Sequence, residues 1–189
     1  MVSGAMTEEA TEGKATSSHR RPIRVDPTFK HEVLSEPGGE SLQQCFQCGT
    51  CTAGCIIAEH SDDYKGPRKI IRMAQLGLVD ELLSSPELWF CATCYSCTEV
   101  CPQGVAAKDI IRVLQNLAVK KGYVPQGYQK IAENIMKTGW AQKTSKFKLK
   151  KREKQGLPPL PETNLEEVEK LMKVTGLDDI AEPKEEEED

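Results

Sequence analysis

Eight cysteines, and no others, fall into two copies of one spacing: Cys45, Cys48, Cys51 and Cys55, then Cys91, Cys94, Cys97 and Cys101. Each copy reads C-x2-C-x2-C-x3-C, and Pro102 closes the second. Closely spaced thiolates on a tight loop can wrap three iron corners of a cubane, and this spacing is one that holds [4Fe–4S] clusters, the fourth thiolate coming from further along the chain. Two copies therefore imply two [4Fe–4S] clusters and an electron relay.

In two-cluster ferredoxins the last cysteine of each run ligates the other cluster. On these positions Cys45, Cys48, Cys51 and Cys101 hold cluster 1, and Cys91, Cys94, Cys97 and Cys55 hold cluster 2. Structural zinc would use two C-x2-C pairs per site, often with histidine, whereas here three cysteines are evenly spaced and a fourth follows. A disulfide framework needs an oxidising compartment, and the N-terminus lacks the apolar region of a secretory signal. His19, His31 and His60 have no ligand spacing. No G-x-G-x-x-G fingerprint or P-loop occurs, and no cysteine is left over as a reactive thiol, so no catalytic residue is expected.

Around the ligands, Gly49 and Gly54 are expected to let the first loop turn tightly and bring N–H groups near sulfur. Thr50, Thr52, Thr93, Ser96 and Thr98 are candidate further donors, and such bonds raise a cluster's potential by favouring its more negative reduced form. Phe46, Trp89, Phe90 and Tyr95 flank the ligands and read as apolar shielding. Arg68, Lys69 and Arg72 read as a solvated helix face.

The elements that must position these loops are helical. The chain has 189 residues, 38% hydrophobic and 29% charged, so a small domain is expected to draw much of its stability from its metal ligation. Residues 1–21 are polar and read as a flexible N-terminal arm, and residues 22–140 as an all-α, α-helical ferredoxin-like domain binding two clusters. Within it, Phe29, Val33 and Leu34 share a helical face. Pro67 and Gly77 bracket a helix burying Ile70, Met73 and Ala74, and a shorter helix spans Val79 to Leu83. The strongest pattern, about Ala106 to Lys121, places Ile110, Val113, Leu114, Leu117 and Ala118 on one side. Another runs from Gly127 to Thr138 and stops at Gly139. Residues 141–163 read as a basic, proline-containing linker, and 164–176 as a docking helix capped by Asn164 with Glu167, presenting Leu165, Val168, Leu171 and Met172. Residues 177–189 read as an acidic disordered tail. The net charge of −4 disfavours a nucleic-acid partner, and no apolar run is long enough to span a membrane, so a cytoplasmic location is expected.

The runs Cys45-Phe-Gln-Cys-Gly-Thr-Cys-Thr-Ala-Gly-Cys55 and Cys91-Ala-Thr-Cys-Tyr-Ser-Cys-Thr-Glu-Val-Cys-Pro102, with Gly66-Pro-Arg-Lys-Ile-Ile-Arg72 between them, resemble the family of C subunits of soluble heterodisulfide reductases from methanogenic archaea. The resemblance covers about Pro22 to Gly139. One departure from the ferredoxin run is Ile56, where a proline often follows the fourth cysteine. The resemblance implies an electron-transfer component that is not itself catalytic. It would pass electrons from a bifurcating A subunit, which holds flavin and iron–sulfur groups, to a B subunit whose noncubane clusters reduce the CoM-S-S-CoB heterodisulfide in methanogenesis. A hydrogenase or formate dehydrogenase would belong to the same larger complex. Other readings are the iron–sulfur component of another anaerobic dehydrogenase or reductase complex, and a non-redox zinc scaffold.

Overall fold

The computed structural model describes residues 23–181; the expected arm over residues 1–21 and residues 182–189 of the expected acidic tail lie outside the described residues. Every regular element among the described residues is helical, with no strand. The first is α1, Phe29–Ser35, which buries Phe29 and Val33 as its spacing predicts. Two very short helices follow inside and just after the first cysteine run, α2 (Thr50–Ala53) and α3 (Ile56–His60). Pro67 sets the first turn of α4, Pro67–Leu76, which ends at Gly77 in the left-handed region, φ 71°. That glycine is obligatory for space as well, because a Cβ there would stand 1.9 Å from the carbonyl oxygen of Asp26. Then come α5 (Val79–Leu83), α6 (Ser96–Glu99) inside the second cysteine run, and α7 (Ala107–Lys120).

The core gathers around α7, which packs against α1, α4, α5, α6 and the 3-10 turn Pro86–Trp89. Being covered from several directions, α7 buries a wider face than the expected stripe: Ala107 and Ile111 join Ile110, Val113, Leu114, Leu117 and Ala118. On α4 the buried set is Ile70, Ile71 and Ala74, with Met73 only half-buried at the rim. Truncating any one of the large aliphatic side chains costs about 2–5 kcal/mol.

The chain continues into α8 (Gln126–Thr138), α9 (Lys146–Lys154), α10 (Leu165–Thr175) and α11 (Asp178–Ala181). Helices α8, α10 and α11 pack on one another around Ala132, Met172 and Ala181, apart from the main core. The Trp89 and Tyr128 rings, 5.1 Å apart, link this second layer to the first. The segment expected to be a linker contains a helix, α9, because Lys, Arg and Leu are good helix formers and the Ser145 hydroxyl caps it, accepting from the Lys148 N–H. It buries no residue. Asn164 caps α10 as expected, accepting from the N–H groups of Glu166 and Glu167. The apolar stripe of α10 is only partly covered: Met172 is buried and Val168 half-buried, while Leu165 and Leu171 stay exposed. The start of the expected disordered tail is helical, forming α11 against α8.

Candidate metal centre

Both cysteine runs adopt one backbone conformation. In the first, Gln47 (φ 67°) and Gly49 (φ 91°) are left-handed; in the second, Thr93 (φ 56°) and Tyr95 (φ 64°) occupy the same places in the same region. Gly49 and Tyr95 then cap the one-turn helices α2 and α6, so Cys51 and Cys97 fall at the second position of each. The next cysteines close the turns identically, Cys55 N–H donating to Thr52 O and Cys101 N–H to Thr98 O. Left-handed residues on both sides of Cys48 and of Cys94 curl each loop tightly, and backbone turns of this kind form N–H-lined concavities that suit anions and iron–sulfur groups. Gly54 does not need a glycine's freedom: its φ is −93°, and Val100 takes its place in the second run.

The repetition extends into the long helices. The segment Arg68-Lys69-Ile70-Ile71-Arg72-Met73-Ala74-Gln75 of α4 matches Lys108-Asp109-Ile110-Ile111-Arg112-Val113-Leu114-Gln115 of α7, residue for residue in register. Each helix does the same work at its own run. Thr52 Oγ1 accepts from the Arg68 N–H at 3.2 Å, and Thr98 Oγ1 from the Lys108 N–H at 3.4 Å. At the far end, Gln75 Nε2 donates to Leu42 O and Cys45 O, both at 3.0 Å, and Gln115 Nε2 donates to Leu88 O at 3.0 Å, fixing the chain that enters each run. Threonines 52 and 98 thus serve as acceptors for helix starts, and their hydroxyls also bond to the neighbouring Cys51 and Cys97, opposing the effect of burial there. Helix α3 is the insertion that makes the first unit longer than the second.

The eight thiols are all free of disulfides. Cys45, Cys48, Cys51 and Cys101 line one cleft, walled by Ile71 and Val105, with Arg68 at its edge and Cys97 reaching its wall. Cys101 therefore meets the first run although it closes the second. Burial pushes the Cys51 thiol up, and the charges of Cys45, Cys48 and Cys101 add to it. On the other side, burial and then Cys91 push Cys97 up to about 11, with Cys51 and Cys94 contributing. Tyr64, buried and held neutral first by desolvation, also feels Cys91, Cys55, Cys97 and Cys51, so cysteines of both runs surround it. Cys51 and Cys97 are the inner members of the two groups, on the packed helices α2 and α6.

Donors reach the sulfurs. Thr50 and Ser96, in matching places, share hydrogen bonds with Cys48 (3.3 Å) and Cys94 (3.4 Å), and these bonds hold both exposed thiols below the ordinary range. Gln47 Nε2 donates to Cys45 Sγ at 3.4 Å, and the Val105 N–H to Cys101 Sγ at 3.3 Å. Among the described residues no three His, Cys, Asp or Glu side chains are gathered closely enough for a single metal ion; the thiols of the first group instead stand around a cleft. Thiols in such groups, with N–H and O–H donors at sulfur, suit thiolate-bound iron–sulfur cubes, whose reduced forms those donors favour.

The expected aromatic shield is mostly on the outside. Phe46 is 58% exposed and Tyr95 44%, Phe90 lies at the surface, and only Trp89 is half-buried. Phe46 follows Cys45, whose backbone is extended, Tyr95 is itself left-handed, and the first cleft is walled instead by Ile71 and Val105, which sequence reading did not single out. His31 and His60 are exposed, His60 Nδ1 bonding to Ile56 O; His19 lies outside the described residues. Lys108 was also missed. It is a nearly buried cation, 8% exposed, whose Nζ donates to Tyr95 Oη at 2.8 Å and to Asp109 Oδ1 at 3.1 Å, which hold it charged.

Comparison with known proteins agrees with this picture. A family profile described as a 4Fe-4S dicluster domain matches residues 41–105, spanning both runs and α4. The C subunit of the H(2):CoB-CoM heterodisulfide,ferredoxin reductase of Methanothermobacter marburgensis is 39% identical over 166 residues, covering 85% of this chain and 88% of the relative. The iron-sulfur C subunit of the CoB-CoM heterodisulfide reductase of Methanopyrus kandleri is 40% identical over 162 residues, covering 82% and 81%. The C subunit of the Ferredoxin:CoB-CoM heterodisulfide reductase of Methanosarcina mazei is 36% identical over 156 residues, covering 79% and 94%.

Proposed function

The chain belongs to the family of heterodisulfide reductase C subunits, and from that membership we propose that it relays electrons through two [4Fe–4S] clusters from a flavin-containing, bifurcating A subunit to the B subunit, where the CoB–CoM heterodisulfide is reduced. Cys45, Cys48, Cys51 and Cys101 hold one cluster, and Cys91, Cys94, Cys97 and Cys55 the other. The observation that supports the reading is that Cys101, which closes the second of two loops of matching backbone conformation, lines the cleft of Cys45, Cys48 and Cys51 in the first.

When bound, the clusters supply one-electron storage. The chain's own residues do the rest. Gln47 Nε2 and the Val105 N–H donate to sulfur, and the Thr50 and Ser96 hydroxyls bonded to Cys48 and Cys94 would do so once those thiols are thiolates, all favouring added negative charge. Ile71, Val105 and Tyr64 keep water from the inner faces, while Cys48 and Cys94 remain exposed and give each group an edge near the surface where a partner carrier can approach. Cys51 and Cys97, on the packed helices α2 and α6 and lining the same cleft, bring the two groups together, where internal transfer would pass. No helix among the described residues is long and apolar enough to cross a membrane, and we place the complex in the cytoplasm, supplied by a hydrogenase or formate dehydrogenase.

The test is an anaerobic redox titration followed by EPR, with iron and sulfide quantified on the same sample. The relay predicts two interacting S = 1/2 signals and about eight iron and eight sulfide per chain. The reduced chain should be reoxidised by heterodisulfide only when the B subunit is present. Zinc without acid-labile sulfide would refute it, as would direct reoxidation by heterodisulfide without that partner.

A further inference from the structure

The duplicated units diverge at the residue that follows the second cysteine and at the cation beside it. In the first unit Gly49 fills the left-handed position, and the neighbouring Arg68, at the second position of α4, is exposed. In the second unit Tyr95 fills it, and Lys108, at the second position of α7, is drawn in until it is 8% exposed. Its Nζ sits 4.5 Å from the centre of the Tyr95 ring and donates to the Tyr95 hydroxyl, while its backbone N–H donates to Thr98 next to Cys97. A tyrosine in the left-handed region costs about 1–2 kcal/mol, and the lysine contacts help to offset that strain. The one acid paired with the lysine, Asp109, is on the solvent side: its side chain is 40% exposed against 10% for Lys108, so water screens the acid more than the cation.

We infer that Lys108 is a positioning residue that holds up the potential of the cluster bound by the second cysteine run, splitting two otherwise equivalent sites and so giving the relay its direction. This rests on the two-cluster reading above. An iron–sulfur group carries more negative charge when reduced, so a fixed, poorly screened cation beside its loop favours the reduced form. The exposed Arg68 guanidinium, on the same position of the other unit, is screened by solvent and does so less.

The experiment compares the wild-type full chain with Lys108→Met, Lys108→Arg and Asp109→Asn, all loaded anaerobically, by EPR redox titration with iron and sulfide quantified. The signal belonging to the second run is identified by its change in Cys94→Ser. Loss of one unit charge at about 10 Å and an effective dielectric of about 25–50 lowers the reduced-to-oxidised ratio about three- to tenfold. Lys108→Met should therefore make that one midpoint more negative and leave the other in place. Lys108→Arg should keep the wild-type value, and Asp109→Asn should move the same midpoint the opposite way by a smaller amount. Unchanged midpoints in Lys108→Met with full iron and sulfide, or equal shifts of both, would overturn the inference while leaving the relay standing. If Lys108→Met fails to retain clusters, Asp109→Asn decides: a rise in the single midpoint supports the inference and no shift overturns it. A wild-type chain without two clusters would instead sink the relay reading itself.

Discussion

Replacing Gly66 by alanine tests whether the start of α4 is locked to the first cysteine loop. Gly66 is buried, with φ 86° and ψ 169°, a region open essentially to glycine alone. A Cβ there would stand 2.5 Å from Thr52 Cγ2, 2.7 Å from its Oγ1 and 3.0 Å from its Cβ. Thr52 has little room to retreat, because it follows Cys51 and its hydroxyl accepts from the Arg68 N–H. Dihedral strain of about 1–3 kcal/mol and overpacking of about 1–3 kcal/mol together predict a loss of about 2–6 kcal/mol, felt at the loop that carries three ligands. Gly104→Ala is the control: φ is 64° and nothing lies within 4 Å of the added carbon, so only left-handed strain of about 1–2 kcal/mol applies. The assay is the rate of iron release to a chelator from the cluster-loaded chain, followed by the visible absorbance of the clusters, beside thermal unfolding by circular dichroism. Gly66→Ala should release iron at least about tenfold faster than Gly104→Ala, and adding Thr52→Ser, which removes the closest methyl, should recover about 1 kcal/mol of the loss. Equal release rates for the two glycine variants would refute the steric lock, and no recovery by Thr52→Ser would show that the strain does not pass through that side chain.

Other expectations concern the ligands, the walls and the outer layer. Cys101→Ser should damage the cluster of the first run and Cys55→Ser that of the second, each seen as a change in one EPR signal; damage confined to each residue's own run would refute the exchange. Tyr64→Ala should cost about 3–5 kcal/mol, since Tyr64 is 2% exposed, and should speed bleaching of the second cluster more than the first in air. Equal bleaching of both would remove Tyr64 from the second site. Ending the chain at Gly156 deletes α10 and α11, and should leave iron content intact while exposing the Ile131, Ala132 and Ile135 face of α8 to a hydrophobic dye and weakening assembly with the A and B subunits. An unchanged dye signal would mean that those helices do not cover α8 in solution.

The cysteine spacing alone carried the chemistry of this chain, because a cubane imposes a ligand pattern so restrictive that few other sites produce it. The long helices were legible for a similar reason: Pro67 and Gly77, and the periodic apolar residues of α7, are local signals with local causes. The match between the two Ile-Ile-Arg-x-x-Gln segments was also written in the sequence, and its meaning, a second repeat behind the repeated cysteines, emerged only once Gln75 and Gln115 were seen bracing equivalent loops. The short helices α2, α3 and α6 left no signal, since a single turn owes its existence to the packing around it and not to propensity. Helix α9 was hidden for the opposite reason, its good helix formers being masked by a charge run that reads as solvated chain.

By itself, then, the sequence determined the ligand type, the duplication of the runs and the helical class, all properties of residues near one another along the chain. Only the tertiary structure decided which partners meet across it. It put Cys101 into the first cleft, turned Phe46 and Tyr95 outward, and drew Lys108 beneath Tyr95 while leaving Arg68 exposed. Those outcomes depend on how α4 and α7 pack, and packing is a sum of many distant contacts that no short window of sequence contains.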